Sequence, residues 1–256
     1  MPAAGPAPQA TRAATIHPAI AEAFAALDAA GITWCLLRGG DELDRVDGDV
    51  DLLVGSLEMR RLRDALAAPD GFHPRPSWGR RPHHFLERPL PGGGRVKLDV
   101  VTQLSYGRFG ELPTAAAPAV LAGRRRAGGY WAPAEADAFW ATLLHALLDR
   151  DRVRSERAPE LVASVRAARD ASSPLRDVLA AAARPAGWDD TRVLDAVAAG
   201  DWAALAELAP RLRDGWPHGD RVSRAAVVTV KRVLRRAQRL QQRGSIAANS
   251  AARSTG

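Results

Sequence analysis

Residues 34–55 read WCLLRGGDELDRVDGDVDLLVG. An apolar run, Trp34-Cys35-Leu36-Leu37, leads through Arg38 to the pair Gly39-Gly40. A short acidic connection follows, and the chain returns in an apolar run carrying Asp49 and Asp51. The pattern is strand, glycine turn, connection, strand. Side chains alternate along a strand, so Asp49 and Asp51 point to one face and Val50 and Leu52 to the other. Two carboxylates on one face raise each other's cost of ionisation, and a divalent cation removes that cost. Hard oxygens suit Mg²⁺, which leaves its remaining positions to water and substrate phosphates. The stretch reads as a metal–nucleotide site, with Gly39 and Gly40 letting backbone N–H groups approach a phosphate.

A third acid extends the pattern. Arg95-Val96-Lys97-Leu98-Asp99-Val100-Val101 alternates as a strand, with Arg95, Lys97 and Asp99 on one face and Val96, Leu98 and Val100 on the other. Paired beside the first acidic strand, it lets Asp99 join Asp49 and Asp51 around two ions. Such two-metal sites serve in-line displacement at phosphorus.

The run Leu37-Arg38-Gly39-Gly40, then Asp49-Val50-Asp51-Leu52, then Leu98-Asp99-Val100 resembles the signature of the DNA polymerase β-like nucleotidyltransferase superfamily. Many members carry Ser where Gly40 stands. The resemblance covers roughly residues 16 to 130. It implies an α/β (α+β) nucleotidyltransferase fold with a small mixed sheet flanked by helices. It also implies two Mg²⁺ ions and an NTP, whose nucleotidyl group passes to an acceptor hydroxyl or phosphate with release of pyrophosphate. By that resemblance Asp49 and Asp51 hold both ions, and Asp99 completes one site and helps deprotonate the acceptor. Gly39 and Gly40 hold the triphosphate, and Arg38 or Lys97 neutralises its charge. Together with KLDVVTQLSYG and FWATLLHALLDR, the same run looks like the N-terminal part of thymidylate-kinase-like proteins of bacterial polysaccharide gene clusters. Those often continue into a P-loop kinase domain. Here no G-x-x-x-x-G-K-[ST] motif occurs, which leaves a stand-alone and a truncated form both open.

Rival readings of Asp-x-Asp fit less well. Asp47-Gly48-Asp49-Val50-Asp51-Leu52 lacks the glycine that an EF-hand loop needs at its sixth position. Sugar-nucleotide glycosyltransferases need a long nucleotide-binding βα region before the motif, and too little chain precedes Asp49. His73, His83 and His84 have no further Cys or His at zinc spacing. His83 with Arg80-Arg81 reads as a loop near the substrate or as plain solvated surface.

The 256 residues, 46% hydrophobic and 25% charged, suffice for one sizeable domain or two small ones in a soluble protein. Cys35 is the only cysteine, which excludes an intrachain disulfide and makes a reducing cytoplasm the expected compartment. No stretch has the apolar length of a membrane span, and residues 1–15 read as a disordered lead without the layout of a signal peptide. The net charge of +7 comes without a zinc finger, an RNA-recognition signature or an aromatic-interleaved basic strand. Nucleic acid is therefore a minority partner, and phosphorylated substrates explain the arginines as well.

Along the chain, a first helix spans Ile16–Ala30, strands span Thr33–Leu37 and Val50–Val54, and Ser56 caps a helix carrying Leu57, Leu62 and Leu66. Pro91-Gly92-Gly93-Gly94 turns a hairpin. Arg124-Arg125-Arg126-Ala127-Gly128-Gly129-Tyr130 reads as a second hairpin, whose arginines either line the nucleotide cleft or blunt a solvated edge. The nucleotidyltransferase-like domain is expected over 16–132. A helical domain follows over 133–243, with Phe139, Trp140, Leu143, Leu144, Leu147 and Leu148 on one face and His145 opposite, in a structural or solvent role. Prolines punctuate helices near 159–171, 174–183, 190–199 and 201–212. A last basic helix, 220–243, carries a stripe of Ala226, Val230, Val233, Ala237 and Leu240 for its own bundle or a protein partner. Residues 244–256 read as a disordered tail. The alternative to catalysis is a nucleotide-binding or assembly module that partners a separate kinase-like domain. A nucleic-acid-directed transferase is a further alternative.

Overall fold

A computed structural model describes residues 15–217, apart from 47, 69, 76–82 and 108, together with 229. Helix α1 (Pro18–Ala29) begins where Pro18 fixes φ for helix entry and the His17 ring accepts from the Ala19 N–H. That start lies two residues beyond Ile16. Gly31, at φ +63°, ends the helix in the left-handed conformation that glycine adopts without strain.

Strand β1 (Trp34–Leu36) is followed by β2 (Asp49–Val54), helix α2 (Met59–Leu66), β3 (His73–Arg75), β4 (His83–Pro89) and β5 (Arg95–Val101). The five strands form one mixed sheet in the order β1-β2-β5-β4-β3, in which β2 and β5 run parallel and the other neighbours antiparallel. The β4–β5 hairpin closes at the expected glycine turn, where Gly92, Gly93 and Gly94 all take positive φ. Ser56 does not cap α2. The N-cap position is Glu58, because a turn closed by the Glu58 N–H on the Gly55 carbonyl occupies residues 55–58 first. Leu57 consequently stands 93% exposed in that turn.

Strand alternation divides the sheet between two apolar clusters. On one face Leu36, Val50, Leu52, Val54, Leu98 and Val100 pack with Phe24 and Leu27 of α1 and Leu62 of α2. On the other, Cys35, Leu53 and Val101 enter a cluster built from the helices that follow. Burying each such side chain contributes about 1.5–3 kcal/mol.

Those helices come after two small hairpins, β6 (Ser105–Tyr106) with β7 (Leu112–Pro113) and β8 (Arg125–Ala127) with β9 (Tyr130–Ala132), which flank α3 (Ala117–Ala122). Helix α4 (Glu135–Asp149) buries Phe139, Trp140, Leu143, Leu144, Leu147 and Leu148. Helices α5 (Ala158–Asp170), α6 (Pro174–Ala183) and α8 (Trp202–Asp214) pack against it, and α7 (Asp190–Ala199) packs on those three. Helix α8 starts at the Asp201 cap and carries Pro210 inside it, close to the expected span of 201–212. The described residues therefore hold a five-stranded mixed sheet and eight α-helices. The expected lead, the basic helix 220–243 and the tail fall outside them, save Thr229 in a helical turn and residue 15.

Candidate functional site

Cys35, Leu53 and Val101 mark the edge of the helical roof over the second sheet face. Two residues earlier on β2 and β5 the same face carries Asp51 and Asp99, and the apolar contact gives way to a cleft of about 1010 Å³. The parallel register places Asp51 directly beside Asp99 and Asp49 beside Lys97. Because the side-chain period is two, all four share one face. The proximity expected of the three acids thus follows from backbone pairing alone.

Each acid has its own basic neighbour. Arg38 donates to Asp51 Oδ2 from Nε and Nη2 at 3.1 and 2.7 Å. His83 Nδ1 stands 2.8 and 3.0 Å from the two oxygens of Asp99, donating in the tautomer that carries its proton there. Lys97 Nζ lies 3.7 Å from Asp49 Oδ1, an ion pair longer than a hydrogen bond. Asp99 is the buried one of the three, and His83 lies against it because β4 pairs antiparallel with β5, with Phe85 opposite Asp99. His83 therefore sits at the start of a strand and lines the cleft, not in a loop; Arg80 and Arg81 lie outside the described residues.

Arg38, Gly39, Asp49, Asp51 and Asp99 line the cleft. Gly39, at φ +78°, turns the chain out of β1. Gly40 is placed differently: a Cβ there would run into the Tyr130 hydroxyl. It permits a close approach between the turn and β9, and neither it nor Lys97 is among the lining residues. Arg124, Arg125 and Arg126 do not line the cleft either. Arg124 and Arg126 stack over the Trp131 ring, Arg125 pairs with Glu135, and Arg126 pairs with Asp28.

In chemistry and register the acids fit a hard divalent cation: three carboxylates on one face of adjacent strands. Their present side-chain directions serve the basic partners. Among the described residues no group of three or more His, Cys, Asp or Glu side chains is gathered as a metal cage.

The opposite wall was not anticipated from the sequence. His145 lines the cleft, its Nδ1 2.5 Å from Asp149 Oδ2, while Asp149 Oδ1 accepts the Gly107 N–H at 2.5 Å. Arg150, Arg152, Arg154 and Arg157 follow. Ser105 and Tyr106 also line it, and Ser105 Oγ and Tyr106 Oη are buried without a hydrogen-bond partner among the described residues. Burial pushes the Tyr106 phenol well above its ordinary pKa, so it stays a neutral hydroxyl. Arginines stand at every second position of RDRVR, 150–154, but that spacing by itself does not place them on the cleft.

Among the described residues no helix is long and apolar enough to cross a membrane. Compared with models of known protein families and with curated proteins, the sequence matches none.

Proposed function

We propose that this chain is a nucleotidyltransferase of the DNA polymerase β-like kind, transferring a nucleotidyl group from an NTP to an acceptor hydroxyl or phosphate. The observation that carries the reading is the parallel β2–β5 register. It sets Asp51 beside Asp99, with Asp49 on the same face, at the mouth of a large polar cleft. Asp49, Asp51 and Asp99 would hold Mg²⁺, which when bound neutralises phosphate charge and lowers the barrier to in-line displacement. Arg38, which lines the cleft beside Asp51, would lie against triphosphate oxygens in a charge-assisted hydrogen bond, and Lys97 would hold Asp49 from outside the lining. The Gly39 turn leaves backbone room for a phosphate at the end of β1. His83 Nδ1 reaches both oxygens of Asp99 and fixes the carboxylate on the wall of the cleft.

A second reading, a nucleotide-binding module without turnover, draws on the ion pairs that already satisfy the acids. Pyrophosphate release separates the two. The chain is incubated with Mg²⁺, each NTP in turn and a panel of hydroxyl and phosphate acceptors. Acceptor-dependent release is expected with at least one NTP. Nucleotide binding with no release across the panel would favour the module.

A further inference from the structure

Arg150, Arg152 and Arg154 stand exposed at alternate positions of the turn that leaves α4, and all three line the cleft opposite the acids. Their neighbours are committed elsewhere. Arg157 pairs with Glu160, and Arg213 with Asp151 and the carbonyls of Leu147 and Leu148. Among the described residues, no carboxylate or carbonyl takes the side chains of Arg150, Arg152 or Arg154.

The turn is held in shape. Asp151 has φ +62°, alone among the described non-glycine residues in taking positive φ. A residue held there costs energy that the surroundings must over-determine. Arg213 clamps the turn, Val153 packs on the helical core, and the Arg152 N–H donates to the Ala146 carbonyl at 3.1 Å. Three guanidinium groups displayed at alternate positions repel one another until an anion lies among them, and their planar forks match phosphate oxygens. Arg38 belongs to the floor, beside Asp51, so the rim is left with cationic capacity for a second anion.

We infer that residues 150–154 bind a phosphate monoester carried by the acceptor, so that the second substrate is itself phosphorylated. The inference rests on the nucleotidyl-transfer reading of the same cleft. It is tested by calorimetric titration of the full chain with glycerol 3-phosphate and with glycerol, both without Mg²⁺, and separately with Mg–ATP. Glycerol 3-phosphate is expected to bind and glycerol not to. Replacing the three arginines together (Arg150→Gln, Arg152→Gln, Arg154→Gln) should weaken the phosphate ester about tenfold or more and Mg–ATP less than about threefold. The single Arg152→Gln change, checked by melting beside the triple variant, should give a smaller loss of the same kind. Equal behaviour of glycerol 3-phosphate and glycerol would overturn the inference. So would an equal loss of Mg–ATP in the triple variant, which would assign the arginines to the nucleotide's own triphosphate. Failure of every Mg–NTP to bind, ATP included, while glycerol 3-phosphate still does would overturn the nucleotidyl-transfer reading and leave the anion site standing.

Discussion

Two carboxylate assemblies lie on opposite sides of the sheet, and they are built differently. Behind it, Asp28 of α1 accepts from the Trp34 and Trp131 indoles on one oxygen, both at 3.0 Å, and from Arg126 on the other at 2.8 Å. Burial pulls its carboxyl upward, but the bonds from Arg126, Trp34 and Trp131 outweigh that and hold its pKa below the ordinary carboxylate value. The assembly ties α1 to β1 and to the β8–β9 hairpin. On the cleft side each acid has one basic partner and keeps acceptor capacity toward open space. The same residue type thus fastens structure on one side and remains available for a ligand on the other.

Asp99 should separate the two assemblies most. Asp99→Ala should cut turnover by at least about a hundredfold, or ~2.7 kcal/mol of transition-state stabilisation, with nucleotide binding much less affected. Turnover like the parent's would remove Asp99 from the mechanism. Next in size is the ligand response of the floor. Mg²⁺ or Mn²⁺ should raise the melting temperature, and with NTP at about a hundred times its Kd the stabilisation should reach ~2.7 kcal/mol. Asp49→Asn with Asp51→Asn should abolish the shift, whereas Asp28→Asn should keep it. A shift that survives the double change places the site elsewhere.

Gly40 sharpens the comparison from the turn between the two assemblies. A methyl group there meets the Tyr130 hydroxyl, so Gly40→Ala should cost about 1–3 kcal/mol. Adding Tyr130→Phe should recover part of that cost in a double-mutant melting cycle. An undisturbed Gly40→Ala protein would refute the packing account. The smallest effect belongs to Asp28. Asp28→Asn should lower stability by about 1 kcal/mol at neutral pH and leave turnover unchanged. Because the folded pKa lies below 3.8, the contribution is complete above that value and fades as pH falls through the folded pKa. Acid melting of the two proteins should therefore converge below about pH 4. A constant gap across that range would remove the carboxylate from the explanation.

The floor was legible because strands state their faces: Asp49, Asp51 and Asp99 are separated from their apolar neighbours by a period of two, and Gly31 and Gly92 to Gly94 announce their turns. His83 was less legible. The strand HHFLERP is half exposed, ends in proline and follows a segment dense in Pro and Arg, so local composition argues for a loop and only pairing with β5 makes it a strand. The rim was missed for a related reason. Arg150, Arg152 and Arg154 follow a strongly periodic helix and belong to no periodic element. Nothing local says that their turn faces the acids. Helical spacing turns His145 away from the apolar face, and the space it meets there is the cleft.

Cys35, the chain's only cysteine, sits where the sheet meets its helical cover, fully buried, and burial pushes its thiol up to about 12. An alkylating reagent can therefore reach a reactive sulfur only when the two layers part. The labelling rate becomes a clock for that parting, with no competing thiol to confuse the count. Substrates that bridge the acids and the α4 wall should slow it, and those that occupy the floor alone should leave it running.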